Sequence, residues 1–150
     1  APDGDVMADT IEVRLIGFER MMANVKPEVL VGPVRRFLDR ATISIGDHIK
    51  EFTPVDTGRL YTSIGGGTFR GGSYPPGHGR AIDASPVPGW ASVGTNVEYA
   101  EELEFSVHKK PRPGGVGRIP YFRPGITAAR PDITKSFEKM GQEIKEGLTK

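Results

Sequence analysis

Leu30, Val34, Phe37, Ala41, Ile45, Ile49 and Phe52 recur at spacings of 4, 3, 4, 4, 4 and 3. That rhythm keeps one face of a 3.6-residue helix apolar over its whole length. A helix of this kind is stable only when a second layer covers its stripe, so the rest of the chain must supply that layer. Pro33 suits the first helical position, where a missing N–H costs nothing. The regular helix is therefore expected over 33–52, after a turn at 27–31. Thr53-Pro54 stops it, because the residue before a proline avoids helical angles.

Ile133, Phe137, Met140, Ile144 and Leu148 form a second stripe, spaced 4, 3, 4 and 4. Pro131-Asp132 reads as its start, with an acid favoured at a helix N-terminus. Ile11 to Leu15 alternates apolar and charged residues, which is the period of a half-buried strand. Gly17 breaks that strand, and 18–24 reads as a short helix. Trp90 to Val93 reads as a strand, and Val97 to Phe105 as a short acidic helix. Two Gly/Pro-rich loops, 65–89 and 106–120, separate these elements. Loops of this length inside a compact domain tend to be functional or disordered. Both are expected to be mobile in the free protein and to order on assembly. The fold class is α+β: a small mixed or antiparallel sheet packed by a long amphipathic helix and a C-terminal helix.

The chain has 150 residues, which suits one domain, taken as 11–150 after a disordered tail over 1–10. The acidic start APDGDVMADT is not a signal peptide, and Met7 is a candidate original start. A net charge of +1 gives no general attraction to nucleic acid or membranes, and no apolar run approaches the ~20 residues of a membrane span. There is no cysteine, which excludes disulfides and thiol chemistry.

Asp56-Thr57-Gly58 is the triplet that carries the catalytic carboxylate of aspartic proteases. Those enzymes share one proton between two buried carboxylates. Here Arg59 follows the triplet, and a guanidinium beside such a pair would drive both groups to ionise. A structural corner is the better reading. Pro54 ends the helix, Asp56 caps the N–H groups of 58 and 59 with Thr57 beside it, and Gly58 permits the tight bend. Leu60 and Ile64 then face the core through one helical turn. Gly66 to Ser73 approaches a phosphate-binding loop, but Gly72 occupies the lysine position, so the stretch reads as flexible loop. His48, His78 and His108 stand in separate contexts without metal-ligand spacing. No catalytic residue, metal or cofactor is expected.

Glu98, Glu101, Glu102 and Glu104 are followed by Lys109, Lys110, Arg112 and Arg118, each group free of the opposite sign. Three readings fit: a solvated helix beside a solvated loop, complementary surfaces on neighbouring subunits, or a basic loop facing DNA in a lumen. A nucleic-acid-binding module using 106–120, Arg70 and Arg80 is the alternative function. It lacks aromatic residues interleaved with the basic ones.

Three phrases stand in order: TPVDTGRLYTSI, VGTNVEYAEELEF and IPYFRPGITAA. Together they resemble the tail-component family of tailed bacteriophages, typified by a head–tail joining protein of the lambdoid siphophages. The matching residues are Pro54, Asp56, Thr57, Gly58, Leu60, Ser63 and Ile64; Val93, Gly94, Thr95, Tyr99, Ala100, Glu104 and Phe105; and Pro120, Phe122, Arg123 and Pro124. The chain departs from the pattern at Ser106-Val107, where family members carry Gly-Thr, and at Tyr121, which intervenes before Phe122. The resemblance covers about residues 11–148. It implies a structural protein of the virion neck, made in the host cytoplasm. Such a protein acts as a ring, of six subunits by analogy, between a head-side connector or stopper and the tail tube, without catalysis; DNA in its lumen belongs to the third reading of the basic loop.

Overall fold

The computed structural model describes residues 9–53, 58–97 and 121–149. β1 (Asp9–Arg14) leads into α1 (Phe18–Asn24), α2 (Pro27–Phe52) and α3 (Arg59–Ser63). A hairpin of β2 (Gly67–Phe69) and β3 (Gly72–Tyr74) follows, then β4 (Arg80–Ile82), β5 (Trp90–Thr95) and α4 (Phe122–Leu148). The fold is α+β.

The main sheet is antiparallel, in the order β1-β5-β4. Ile11 stands opposite Val93 and Val13 opposite Ala91, while Arg80 to Ile82 pairs with Val93 to Ala91 from the other side. The alternation seen in β1 thus places Ile11 and Val13 against the core, with Thr10 and Arg14 exposed.

Both long helices begin earlier than their prolines suggest. α2 starts at Pro27, which takes the first helical position, and Pro33 lies buried within it. α4 starts at Phe122, not at Pro131-Asp132. Pro124 falls in its first turn, where no backbone donor is needed. Inside the helices Pro33 and Pro131 each remove one ladder bond. The apolar stripes continue past both: Leu30 and Val34 are fully buried around the first, and Phe122 and Ala129 are buried ahead of the second. Burial of that extra turn or two offsets the lost bond.

α4 lies antiparallel along α2. Gly125 sits against Ile49 at one end and Gly147 against Val29 at the other, with Glu143 reaching Arg36 and Arg40 between them. The edge of the second stripe turns away from the core. Phe137 is 52% exposed and touches Phe37 edge-on, with ring centroids 5.7 Å apart.

The segment 65–89 is not an irregular loop. It holds the β2–β3 hairpin and β4, and Asp83 organises its last part. The Asp83 carboxylate accepts hydrogen bonds from the N–H groups of Gly89 and Ser85 and from the Ser85 hydroxyl. Those bonds, Gly89 foremost, hold the Asp83 carboxyl below its ordinary range.

Candidate functional site

The three phrases lie far apart in sequence, yet residues from each meet in one core cluster. Leu60 and Ile64 come from the corner, Val93 and Val97 from β5 and its end, and Tyr121 and Phe122 from the start of α4. Ile45 and Ile49 of α2 form the floor beneath them. Ile64, Val93 and Tyr121 are all at 0% exposure.

A buried polar link ties the first phrase to the second. The hydroxyls of Ser63 and Thr95 are 2.6 Å apart, and both residues are at 0% exposure. Ser63 is also 2.7 Å from the carbonyl of Leu60, and Thr95 accepts the N–H of Val97. Each hydroxyl therefore satisfies a neighbouring backbone group as well as its partner, the condition under which buried polar groups stabilise a fold. Gly79 closes this region. Gly94 donates its N–H to the Gly79 carbonyl and lies so near that a Cβ at residue 79 would overlap the Gly94 carbonyl and stand 2.7 Å from that of Ser63.

At the corner, Gly58 occupies the N-cap position of α3 with φ 80° and ψ −3°, a left-handed conformation that suits glycine. Thr53 caps the end of α2 in an extended conformation, and its hydroxyl donates to the carbonyl of Ile49. Leu60 and Ile64 point into the core as the spacing predicted. Pro54, Asp56 and Thr57 lie outside the described residues. So do Glu98, Glu101, Glu102, Glu104, Lys109, Lys110, Arg112 and Arg118, together with the 106–120 segment.

The stretch resembling a phosphate loop is the β2–β3 hairpin, with no helix following it. Its rings form a half-buried row: Phe69 stacks on Tyr74 at 5.3 Å, and Tyr74 on His78 at 4.4 Å. Arg80 is engaged by α2, with its guanidinium on the Thr42 hydroxyl and 3.4 Å from Asp39. It is therefore not a free cation of the kind the nucleic-acid alternative needs.

Sequence reasoning did not foresee a polar cluster across α2 and α4. His48 Nε2 is 2.9 Å from Asp132 Oδ2, and its Nδ1 is 3.3 Å from Glu51. The Ser44 hydroxyl donates to the same Asp132 oxygen at 3.1 Å. Although Ser, His and Asp are all present, the order is wrong for acyl transfer. The serine bonds the aspartate instead of the histidine, and both imidazole nitrogens face carboxylates, leaving neither to act as base. The only sequence signal was Ser44 and His48 at i and i+4 on one helix face.

The cluster is an electrostatic clasp between helices. The bond from Asp132 is the main cause of a His48 pKa above its ordinary value, aided by Glu51 and opposed by partial burial. A raised folded-state pKa means that the clasp stabilises fully below histidine's unfolded value. The contribution fades as pH rises through the folded value. The melting temperature of the wild type should therefore exceed that of His48→Gln by most near pH 5 to 6, roughly the window between carboxylate and histidine titration. The gap should narrow by about pH 8. A gap that is constant across this range would mean that His48 contributes packing alone. Glu143 makes a second clasp, 2.8 Å from Arg36 and 3.2 Å from Arg40. Arg36 is the main cause of its lowered pKa.

Among the described residues, no helix is long and apolar enough to cross a membrane, and no group of three or more His, Asp or Glu could hold a metal ion. In comparisons with known proteins, no family model, no curated protein and no solved structure matches the chain.

Proposed function

We propose that this chain is a structural virion protein of a tailed-phage neck. It forms a ring, of six subunits by analogy, that completes or terminates the tail and joins it to the head connector. The observation that carries this reading is the meeting of the three resembling phrases in one buried cluster, linked by Ser63 and Thr95. Apolar residues share a core in any single domain, so the specific support is the buried pair Ser63 and Thr95, two polar residues drawn from different phrases.

In this reading the ring touches a head-side connector or stopper on one face and the tail tube on the other, with DNA passing through its lumen. The acidic 98–104 and basic 106–118 segments are its inter-subunit or partner surfaces. Rim charges of this kind set register and association rate more than final affinity. The protein works in the virion and is made in the host cytoplasm.

The test is an electron micrograph of particles assembled without this protein. Filled heads and separate tails are expected, and adding purified protein should join them. Normal joined virions in its absence would overturn the reading.

A further inference from the structure

We propose that the groove between α2 and α4 seats the basic segment 107–118 of a second copy of this chain. The inference rests on the ring reading and names the surface through which the ring closes.

The groove has a volume of about 570 Å³, with Ile43, Asp47 and Glu51 on its α2 wall and Asp132 and Lys135 on its α4 wall. On α2, Asp39, Ile43, Asp47 and Glu51 fall at every fourth residue and are all exposed, so they form one outward stripe. Ile43 is 46% exposed in the chain as folded on itself. An apolar side chain between carboxylates at this exposure is a surface that gains from being covered.

Among the described residues, the carboxylates of the groove outnumber the lysine and arginine cations left to them. Arg40 at its rim is already held by Glu143. His48 is shared between Asp132 and Glu51, and Lys135 acts on Asp132. Asp47 has no partner among the described residues. The groove therefore presents unneutralised carboxylate around an apolar centre. The segment Val107-His108-Lys109-Lys110-Pro111-Arg112 offers the complement: cations, an adjacent valine and no acid. The lengths agree. An extended run from Lys109 to Arg112 spans about 10 Å. The α2 stripe from Ile43 to Glu51 spans about 12 Å. Pro111 and Pro113 restrict the backbone of this sequence, which lowers the entropy lost on seating.

Two acidic surfaces compete for this segment, the α2–α4 groove and the 98–104 stretch, and charge reversal separates them. A fluorescent peptide of residues 105–119 is titrated into the full-length protein at low salt. Binding should weaken by about fivefold or more in Asp47→Lys and in Ile43→Ser, and should fall in the wild type as salt rises. Both positions are exposed, so thermal melts should show the fold intact. In ring assembly, Lys109→Glu with Lys110→Glu should abolish rings, and adding Asp47→Lys should restore part of them. Unchanged peptide binding by Asp47→Lys and Ile43→Ser would overturn the proposal. So would rescue by Glu101→Lys with Glu102→Lys instead of Asp47→Lys. If wild-type rings form and both groove variants still form them, the groove fails while the ring reading stands. If the wild type forms no ring on its virion, the ring reading fails, and the peptide titration still decides the groove.

Discussion

Gly125→Ala is expected to destabilise the protein by about 1–3 kcal/mol, although alanine is the better helix former. A Cβ at residue 125 would overlap the Cα of Ile49 and stand 2.7 Å from its N and Cγ1. The obstruction is partly backbone, so no rotamer change relieves it. α4 must lift off α2, and Phe122 and Ala129 lift with it from the shared core. The control is Gly141→Ala on the same helix, where a Cβ would meet nothing within 4 Å. That change should stabilise by about 0.5–1 kcal/mol through the lost freedom of the unfolded chain. Urea unfolding of the two variants should therefore shift midpoints in opposite directions. A stabilised Gly125→Ala would mean that the helices do not touch there.

The second large effect is expected at Ile64. This residue is at 0% exposure, where the three resembling phrases and α2 meet. Truncation to alanine removes buried methyl groups and leaves a cavity among side chains contributed by four separate segments. The expected cost is about 2–5 kcal/mol. Against a total stability of roughly 5–15 kcal/mol, this takes a large share of what holds the domain folded. Ile43→Ala, the same change at a site 46% exposed, should stay within about 0.5 kcal/mol. Equal costs at the two sites, measured by denaturant unfolding, would contradict the division between core and surface described above.

What could be read in the sequence was whatever local chemistry decides. The helix Phe18–Asn24, the stop at Thr53, the strand beginning at Trp90 and the inward turn of Leu60 and Ile64 all follow from short-range pattern. The prolines misled at both long helices, because a local rule placed the starts and burial of Leu30, Phe122 and Ala129 placed them elsewhere. β2, β3 and β4 have three residues each, too few to show alternation. β4 exists because β5 is there to pair with it. The corner was legible through Gly58, Leu60 and Ile64. The clasp of Ser44, His48 and Asp132 was not, since Asp132 is 84 residues from His48 and nothing local announces its partner.

The antiparallel seating of α4 on α2 also fixes an order of events during synthesis. α2 leaves the ribosome with its stripe complete at Phe52, but its main cover begins only at Phe122. At about 5–20 residues per second, translation leaves that stripe without α4 for several seconds. In that interval Leu60, Ile64, Ala91 and Val93 are already made and can cover part of the stripe, but the part that meets α4 stays open. The surface formed jointly by the two helices comes into being only after Leu148 has emerged. Anything that recognises that surface must therefore wait until α4 has been made and has docked on α2.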